Sequence, residues 1–549
     1  MGRVVATLFL LLVTIPAAAE QSGVVFSDDN ANGERDPGEA PRQAIAVTNG
    51  RDVVVTGADG HYALPERDAG FVSVTCPADG RCPVWFRRGS GDFGIVPTPT
   101  LSDFFFVHMS DVHAYSRAED QAGLLPADGI PWWLPRAVVG WFLLRELDQS
   151  YPHLTRDEIA GHLRDVVARY RPAADSWDTT VMMDYVDLAT DPTSGLITPG
   201  TDIPRAFAEV AALRPPFVVN TGDLILEGNS GDPEPVESWY RYYTEVAGAS
   251  GLEIYETIGN NELAGTDNQS FRPSDPRYGK LLYRRYLGPT HYSFDRGPFH
   301  FVAVDSHRRE FEVGEPEDWS FYDMEPEVRD WLDADLGAAG GREIILLNHE
   351  PFHYDPIWDF EGDVLVVEDD GLLEKYGVGY TLTGHIHRNG FQDAPEGGGT
   401  THITTGALSG FRWSLPTSFD SRGYRLVYAR GARLYSAWKD LGRPLLGFID
   451  PKGDPRHHPA STHAASPSEL RGTVSVVAVA CDADGPFEKV QVLLDGEPLV
   501  TTRWGDYFVH ASFEAEVLGE GPSFLELKAT GRDGALQQAR LDVSRSAAP

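Results

Sequence analysis

The sequence predicts an α/β core flanked by two small all-β domains. Residues 20–100 and 471–549 consist of short apolar segments separated by turn signals such as Asp59-Gly60 and Asp495-Gly496, which is typical of β-sandwiches. In residues 101–440, by contrast, helical patterns alternate with apolar strands, as in an α/β fold. At about 150 residues per domain, a chain of 549 residues has room for these three modules.

Composition and charge narrow the classes of function. The chain has 46 Lys and Arg against 82 Asp and Glu, a net charge of −36, which repels nucleic-acid phosphates at long range. We therefore expect no binding of duplex nucleic acid by a basic face. With 42% hydrophobic and 11% aromatic residues, the chain can bury sizeable cores, which excludes a largely disordered protein.

The amino terminus predicts export. Arg3 precedes the apolar run Val4–Ile15, and the small residues Pro16–Ala19 follow it, which is the order of a secretory signal peptide, here residues 1–19. The run is shorter than the about 20 apolar residues of a membrane span, and we expect no transmembrane span later in the chain. The mature protein is therefore expected in the periplasm or outside the cell.

The number of cysteines is compatible with export. Because the chain has only three cysteines, disulfides cannot be the main source of its stability. Cys76 and Cys82 could close one small loop. Cys481 lies in a Val-rich segment and is interpreted as an inert thiol in a core.

A cation-binding loop is predicted inside the N-terminal domain. Residues 28–39 place oxygen-bearing side chains at positions 1, 3, 5, 9 and 12, and Gly33 at position 6, as in twelve-residue calcium loops. The flanks are strand-like, so the loop resembles those of bacterial surface β-repeats and not an EF-hand. The alternative is an Asp/Asn-rich turn that needs no metal. The predicted ligands of a structural Ca²⁺, one of them through its carbonyl, are Asp28, Asn30, Asn32, Glu34, Asp36 and Glu39.

Five segments of the central module share one plan, in which an apolar strand leads directly into a loop with Asp, Asn or His. Because ligands at the carboxyl ends of neighbouring strands meet in one crevice, these side chains can converge. Helical patterns such as Pro204–Leu213 and Glu325–Leu336 precede several of the strands and favour an α/β fold. The strands and their loops are Phe104–Met109 with Asp111 and His113, Pro216–Asn220 with Asp223, Leu252–Thr257 with Asn260 and Asn261, Glu343–Leu347 with His349, and Val378–Leu382 with His385 and His387.

These loops carry side chains that suit transition metals. Two Asp, one Asn and four His are too many ligands for one ion, but they fit two borderline cations that share a carboxylate. Each motif alone is weak evidence, whereas five in this order are strong. We therefore predict a centre of two divalent cations (Mn, Fe, Zn or Co) with the ligands Asp111, His113, Asp223, Asn260, His349, His385 and His387.

In this order the motifs resemble the signature of the calcineurin-like metallophosphoesterases: Asp-x-His, Gly-Asp, Gly-Asn-His-Asp/Glu, an isolated His and Gly-His-x-His. The resemblance covers about residues 101–435 and implies an αββα sandwich-type core. The β-modules on both sides resemble those of an exported bacterial subfamily, and the Asp-x-His motif argues against the purple acid phosphatases. The resemblance also implies that one metal is bound by Asp111, His113, Asp223 and His387, and the other by Asp223, Asn260, His349 and His385.

A phosphoesterase activity follows from the resemblance. It implies hydrolysis of a small phosphomonoester or phosphodiester by attack of a metal-bridging hydroxide. Two dications about 3.5–4 Å apart lower the pKa of the bridging water and neutralise the phosphoryl oxygens, so even a protein of net charge −36 can bind an anionic ester. The alternative is a non-catalytic cell-surface or extracellular binding protein with a degenerate phosphoesterase core.

One position departs from the family signature. Where the family has His in Gly-Asn-His-Glu, this chain has Asn261, and an amide has no proton to give to a leaving group at ordinary pH. Three interpretations remain open. Asn261 only positions an ester with a good leaving group, or His353 replaces the missing acid, or turnover is slow or absent.

Two regions lie outside this scheme. The 108 residues between His113 and Gly222 exceed the length of one crossover, so about 114–200 is predicted to be an inserted subdomain. Its aromatic segment Pro131–Leu144 is interpreted either as a lid for a lipid-like or aromatic substrate or as a helix of the subdomain's own core. Residues 441–470 are predicted to be a linker to an immunoglobulin-like sandwich.

Overall fold

The computed structural model describes large parts of all three predicted modules. The predicted signal peptide, nearly all of the predicted insertion, and His353 lie outside the described residues. The structure describes residues 20–67, 70–114, 163, 203–268, 271–310, 318–320, 323–352, 371–387, 389–392, 399–408, 422–449, 468–470, 472–482, 485–518 and 522–545.

The N-terminal module contains eight strands in two four-stranded sheets. They are β1 (Glu20–Ser27), β2 (Ala46–Thr48), β3 (Val53–Val55), β4 (His61–Pro65), β5 (Phe71–Val74), β6 (Gly80–Arg81), β7 (Phe86–Arg88) and β8 (Phe93–Pro97). One sheet has the order β4-β1-β8-β6 and the other β3-β2-β5-β7. Val25, Val47 and Phe93 are buried in a shared core, and Cys76 and Cys82 form a disulfide.

The central module has thirteen strands and five helices in the described residues. The strands are β9 (Asp103–Met109), β10 (Val218–Asn220), β11 (Ile254–Glu256), β12 (Tyr292–Arg296), β13 (Phe299–Ala303), β14 (Arg308–Glu310), β15 (Asp318–Ser320), β16 (Glu343–Leu347), β17 (Tyr380–Thr383), β18 (Gly390–Gln392), β19 (Thr401–Thr404), β20 (Gly423–Arg430) and β21 (Arg433–Asp440). The helices are α1 (Ile203–Ala212), α2 (Pro233–Ser250), α3 (Leu281–Tyr286), α4 (Pro326–Gly337) and α5 (Leu372–Tyr376).

Two sheets carry the metal-ligand loops. The first has the order β11-β10-β9-β20-β21, in which β9, β10 and β11 run parallel. The second has the order β12-β13-β16-β17-β19-β18, in which β13, β16, β17 and β19 run parallel. The carboxyl ends of the parallel strands are the positions where the sequence predicts ligands.

The inner faces of these two sheets are joined by an aromatic core. Phe106 on β9 stacks on Phe217 with ring centroids 5.1 Å apart, and it meets the edge of Phe301 on β13 at 5.7 Å. On the outer faces, Tyr240 of α2 belongs to the core of the first sheet and Trp331 of α4 to that of the second. Helices therefore cover the side of each sheet that the other sheet leaves open.

Helix α2 was not predicted from the sequence, although it carries clear helix signals. Pro233 occupies its first turn, where the missing N–H costs nothing, and it ends at Gly251, whose φ of 68° suits a left-handed cap. Its buried residues recur every three to four positions, as at Trp239, Tyr243 and Val246.

In its described residues, the C-terminal module has ten strands in two five-stranded sheets. They are β22 (Leu445–Ile449), β23 (Ser468–Leu470), β24 (Thr473–Asp482), β25 (Gly485–Pro486), β26 (Lys489–Leu494), β27 (Glu497–Pro498), β28 (Thr501–Trp504), β29 (Phe508–Glu514), β30 (Ser523–Thr530) and β31 (Leu536–Arg545). One sheet joins β22, β24, β29, β28 and β25, and the other has the order β23-β31-β30-β26-β27.

The range predicted as a linker, 441–470, contains two strands of this module. The apolar strand Leu445–Ile449 pairs with β24, where Phe448 and Ile449 are buried, and Ser468–Leu470 pairs with β31. The Pro-, His- and Ser-rich segment between them obscured these strands. The C-terminal module thus begins earlier than the sequence indicated.

Both β-modules pack directly on the core. In the N-terminal module, Cys76 accepts a hydrogen bond through its carbonyl from the backbone N–H of Asp295 at 2.7 Å. In the C-terminal module, the Tyr507 hydroxyl donates to the Leu213 carbonyl at 3.0 Å, and its ring meets Phe105 at 5.2 Å. Within the described residues, the helices are all too short or too polar to cross a membrane.

Candidate metal centre

Five strand ends bring the predicted ligands together. Strands β9, β10 and β11 of the first sheet lead to the loops of Asp111, Asp223 and Asn260, and β16 and β17 of the second lead to those of His349 and His385. The ligand atoms of Asp111, His113, Asp223 and His387 all lie within 4.8 Å of one another, and those of His349, Glu350 and His385 form a second such group. The sequence missed Glu350 as a member.

Five of the predicted ligands share an unusual backbone. Asp111, His113, Asp223, His385 and His387 have φ values between 50° and 69°, a region that residues with a side chain rarely adopt. Each such residue costs of order 1–3 kcal/mol and persists only where its surroundings enforce it. The strand ends therefore hold the ligands in a strained arrangement that other parts of the fold must stabilise.

Glycines in the motifs allow the loops to approach one another. A Cβ on Gly222 would lie 2.6 Å from Nδ1 of His349, and one on Gly259 would lie 2.5 Å from the backbone nitrogen of Asp223. A Cβ on Gly384 would overlap Oγ of Ser110. In three of the five loops, those of Asp223, Asn260 and His385, the preceding glycine is thus needed because a neighbouring loop occupies the space of its side chain.

The first half-site consists of Asp111, His113, Asp223 and His387. Nε2 of His387 lies 3.0 Å from Nε2 of His113 and 3.1 Å from Oδ1 of Asp111. Nε2 of His113 lies 4.0 Å from the same carboxylate oxygen. Asp111 is completely buried and His113 is nearly so, so these donor atoms face one another and not solvent.

The second half-site consists of Asp223, Asn260, His349 and His385. Nε2 of His349 lies 3.2 Å from Oδ1 of Asp223 and 3.3 Å from Nδ1 of His385. Oδ1 of Asn260 lies 3.1 Å from that same Nδ1. Asp223 thus lies beside donor atoms of both half-sites, and its sharing by two cations stays a prediction.

This donor set fits divalent transition metals. Ligand atoms about 2.0–2.2 Å from a cation are themselves about 2.8–3.6 Å apart in octahedral to tetrahedral geometry, and the neighbouring donor atoms of the second half-site are 3.1–3.3 Å apart. Imidazole and carboxylate donors are those that Mn, Fe, Zn and Co prefer. Nδ1 of His349 lies 2.6 Å from the Thr221 carbonyl, an acceptor that leaves Nε2 available to a metal.

Burial and charge act in opposite directions on the titratable ligands. Burial would raise the pKa of Asp223, but the facing His349 ring holds it well below its usual range. Burial would also raise the pKa of Asp111, but His387 lowers it. Burial and then His387 lower the pKa of His113 to about 4. At neutral pH the carboxylates are therefore ionised and His113 is neutral, as metal ligands must be.

Glu262 supports the loop of the shared carboxylate from behind. Its completely buried carboxylate accepts backbone N–H groups of Asp223, Leu224, Ile225 and Gly259 at 2.7–3.1 Å. Burial and the nearby Asp223 raise its pKa, while the four backbone donors oppose this shift and favour the ionised form. One side chain thereby fixes two of the ligand loops relative to each other.

The structure places Asn261 among the ligands. Its backbone N–H donates to Oδ1 of Asp223 at 3.0 Å, and its side-chain nitrogen lies 3.1 Å from Nδ1 of His113. Its side-chain oxygen accepts from Nδ2 of Asn260 at 3.1 Å, and only 6% of the residue is exposed. His353, the other predicted catalytic residue, lies outside the described residues.

A buried chain of charges adjoins the second half-site, and no sequence pattern indicated it. Glu350, the residue after His349, accepts from Ser306 and lies 2.9 Å from Nε2 of His307. His307 in turn lies 3.2 Å from Asp305, which is paired at 2.7 Å with Nζ of Lys280. A charged residue that follows a strand can be noted in the sequence. The convergence of several such residues in one buried cluster cannot.

The predicted calcium loop forms a closed turn. Asp28 accepts the N–H groups of Asn32 and Gly33 at 3.1 and 2.9 Å. Glu39 accepts those of Asp29 and Asp36 at 3.0 and 2.9 Å, which ties the two ends together. Among the described residues, this loop is not one of the clusters in which three or more carboxylate or imidazole donors converge. Binding of Ca²⁺ therefore stays a prediction.

One comparison with known proteins gives a family match for part of the central module. Residues 201–389 match the family model of the calcineurin-like phosphoesterases, a range that includes five predicted ligands from Asp223 to His387 but begins after Asp111 and His113. A comparison with curated proteins finds no matching sequence.

Solved structures give only distant likenesses. A purple acid phosphatase from yellow lupin (Lupinus luteus) is 13% identical with a TM-score of 0.32, and the alignment covers 77% of this chain and 66% of that one. Fibronectin(III)-like modules of Clostridium thermocellum CbhA are 19% identical with a TM-score of 0.14, over 19% of this chain and 100% of that one. The likeness to the calcineurin-like phosphoesterases is carried by the family model that matches residues 201–389.

Proposed function

We propose that the protein is a phosphoesterase that uses two divalent cations to hydrolyse phosphomonoesters or phosphodiesters. The observation that carries this proposal is the convergence of seven donor side chains from five strand ends, with neighbouring donor atoms in both half-sites at 3.0–3.3 Å. The family of residues 201–389 supports it independently.

The chain's own residues would hold two cations with Asp223 between them. Divalent cations in such a site supply Lewis acidity toward the phosphoryl oxygens and activate water for attack. Asp223 is aligned by Glu262 through backbone N–H groups and by the N–H of Asn261. The buried walls around Asp111 and His349 exclude solvent, which strengthens the electrostatic attraction between site and ester.

The wider architecture is part of this proposal. The aromatic core between the two sheets and the helices on their outer faces support an αββα arrangement. The signal-peptide pattern of residues 1–19 and the Cys76–Cys82 disulfide support export to the periplasm or beyond. Fractionation of cells with amino-terminal sequencing of the mature protein tests export, and a first residue of Glu20 is expected.

The decisive experiment combines metal analysis with a substrate panel. Metal-stripped protein is reloaded with Mn²⁺, Fe²⁺, Zn²⁺ or Co²⁺ and assayed on mono- and bis-p-nitrophenyl phosphate. We expect two cations per chain and hydrolysis that Asp223→Asn abolishes, while Asp267→Asn, the same change at an exposed residue, leaves it intact. Equal rates of hydrolysis in wild type and Asp223→Asn would refute the proposal that the protein is an enzyme.

The second candidate, a binding protein with a degenerate core, has one observation in its favour. Asn261 stands where the family has His, so the usual proton donor is missing. The seven ligand positions all keep residues that can bind metal, which a degenerate core would lose. Two bound cations without hydrolysis of any ester in the panel would favour this candidate.

For the N-terminal module, we propose a structural Ca²⁺ held by the loop of residues 28–39. The closed turn supports this proposal because Asp28, Asn30 and Asn32 already accept the loop's own N–H groups, which orders their oxygens before a cation binds.

A further inference from the structure

A cleft of about 620 Å³ opens between the central module and the C-terminal module. Its volume lies in the range of about 300–1,000 Å³ that is typical of ligand sites. Strands β9, β20 and β21 of the core line one side, and β24, β28 and β29 of the C-terminal module line the other. The side chains that matter for a ligand are Asp103, Arg430, Tyr435, Ser475, Thr502 and His510.

The cleft begins where the aromatic contact between the two modules ends. The ring of Tyr428 stacks on Trp504 at 5.7 Å and meets Phe508 at 5.2 Å, which closes the interface. Two positions further along β28 and β29, Thr502 and His510 form the next pair. Because alternate residues of a strand share a face, this pair also faces the core, but it borders the cleft instead of a core side chain.

Flat aromatic rings form one part of the lining. His510 stacks on Trp504 with ring centroids 4.8 Å apart and planes 7° apart. Tyr435 meets the edge of Trp504 at 5.4 Å. Trp504 is only 7% exposed, so it supports the other two rings, whereas His510 is partly exposed to the cleft. Rings that are already held in place offer an apolar surface to a ligand at little cost in conformational entropy.

The polar part of the lining provides donors and acceptors whose charges cancel. Arg430 donates to Asp103 at 2.9 Å, and its guanidinium lies 4.6 Å from the centre of the Trp504 ring. Nε2 of His510 lies 2.9 Å from the hydroxyl oxygen of Ser475. Burial and then Arg430 lower the pKa of His510, so its ring is uncharged at neutral pH. The cleft therefore suits an uncharged ligand with several hydrogen-bonding groups.

The position of the cleft also disfavours anions. The chain has a net charge of −36, and the predicted cations lie beyond the carboxyl end of β9, whereas the cleft adjoins its amino end at Asp103. At about 3.3 Å per residue, this strand spans about 20 Å, which exceeds the screening length of about 8 Å at physiological salt. Cations at the metal centre would thus not offset the negative charge of the protein at the cleft.

We propose that this cleft binds a neutral carbohydrate. A sugar ring has apolar C–H faces, which pack on the ring of His510, and hydroxyl groups that both donate and accept hydrogen bonds. Asp103 accepts from these hydroxyls, and the hydroxyls of Ser475 and Thr502 can do either. Because the cleft and the metal centre lie at opposite ends of β9, the site holds the protein on a glycan and takes no part in hydrolysis of a phosphate ester.

Calorimetric titration of the full chain with neutral hexasaccharides tests the proposal. The probes are cellohexaose, maltohexaose and mannohexaose, which differ in linkage and in the orientation of their hydroxyls. At least one should bind with a Kd below about 1 mM. Raising NaCl from about 0.05 to about 0.5 M should leave this affinity unchanged, because no ion pair forms with the probe. A sulfated heparin hexasaccharide of similar size should bind at least about tenfold more weakly.

Two substitutions locate the binding in the cleft. Thr502→Trp places a large ring in the cleft from an exposed strand position, where Trp is well tolerated, and should abolish binding. His510→Ala removes the accessible ring and should weaken binding about tenfold. Gln538→Trp, at an exposed position of the other sheet, and His61→Ala, at an exposed position of the N-terminal module, are the matched controls and should leave the affinity unchanged.

The results separate this inference from the proposed function. The inference is overturned if no neutral probe binds with a Kd below about 1 mM, if the heparin hexasaccharide binds more tightly than the neutral probes, or if Thr502→Trp and His510→Ala bind as wild type does. Mn²⁺ binding and hydrolysis of the p-nitrophenyl phosphates are measured on the same variants and should equal those of wild type. Loss of either hypothesis therefore leaves the other standing.

Discussion

Nε2 of His307 lies 2.9 Å from Oε1 of Glu350, and neither residue is exposed to solvent. Burial would lower the pKa of His307, but Glu350 and Asp305 raise it to about 9. At neutral pH His307 is therefore a cation between two carboxylates, and Lys280 balances the outer one. This buried chain of charges stands directly behind the metal ligand His349.

Removing His307 should strongly destabilise the protein. His307→Gln leaves two buried carboxylates without their cation, and breaking a buried ion pair in this way costs about 3–5 kcal/mol. Urea denaturation measures the free energy of unfolding. His61→Gln, at an exposed residue of the N-terminal module, should change it by less than about 0.5 kcal/mol. If His307→Gln lowered the free energy of unfolding by less than about 1 kcal/mol, the buried chain of charges would not be ionised as described.

A second buried histidine should make stability depend on pH. His300 lies 2.7 Å from Asp295 and 2.9 Å from Asp335, and these carboxylates raise its pKa to about 9 against the effect of burial. Because the folded pKa lies above the ordinary 6.5, the stabilisation is complete below pH 6.5 and is lost as the pH rises through 9. The difference in unfolding free energy between wild type and His300→Gln should therefore shrink from pH 6 to pH 10. A constant difference would contradict the assignment.

The support from Glu262 should be sensitive to loss of one acceptor oxygen. Glu262→Gln would direct an NH₂ group at backbone N–H donors, which costs about 1–3 kcal/mol, and we expect Mn²⁺ affinity to fall about 10–100-fold. Glu256→Gln is the control, because Glu256 is a half-buried carboxylate whose contact with the Tyr243 hydroxyl keeps an acceptor. Calorimetric titration compares the Mn²⁺ affinities of the two variants. Equal affinities would show that Glu262 does not support the metal centre.

A methyl group added at Gly384 should disturb the metal centre. In Gly384→Ala the new Cβ overlaps Ser110 and lies 2.7 Å from Oδ2 of Asp111, and such overpacking costs about 1–3 kcal/mol. Gly248→Ala in α2 meets no atom within 4 Å and should stabilise the protein by about 0.5–1 kcal/mol. Thermal unfolding of the two variants should show opposite shifts. If both substitutions stabilised the protein, the Gly384 loop would be able to shift and accommodate the added methyl group.

Calcium should raise the thermal stability of the N-terminal module. Wild-type protein in Ca²⁺ should unfold at a higher temperature than in a chelator, since a ligand that binds only the folded state stabilises it. In Asp36→Asn this calcium-dependent shift should largely disappear, while Asp59→Asn, in a neighbouring turn, should retain it. The difference between Ca²⁺ and chelator is the quantity compared. If Ca²⁺ did not raise the unfolding temperature of wild type, the alternative of a turn that needs no metal would be favoured.

The strand ends with their loops could be read directly from the sequence. An apolar run that stops at Asp, Asn or His marks a buried strand whose next residues face a crevice, and all five such strands of the core are present within a few residues of their expected bounds. The strands can be predicted because they depend on local pattern and strand polarity alone. The choice of Asp223 as the shared carboxylate came from the family resemblance and stays a prediction.

Other features depend on contacts between distant segments. The left-handed backbone of His113 and His387 arises where two sheets meet, and no single segment encodes it. The same holds for Asn261, which the sequence marked as a missing acid but whose contacts come from β9 and β11 loops together. The strand Leu445–Ile449 was hidden for a simpler reason, since it is short and lies beside a Pro-rich segment.

The pairing of β9 with β20 sets the order in which the molecule can assemble. Asp103 and Arg430, which form an ion pair across these strands at 2.9 Å, are 327 positions apart. Closing so long a loop is slow compared with forming neighbouring contacts. The pairing of β9 with β20 can therefore form only after residue 430 has been synthesised, and we expect it to be a late step in folding.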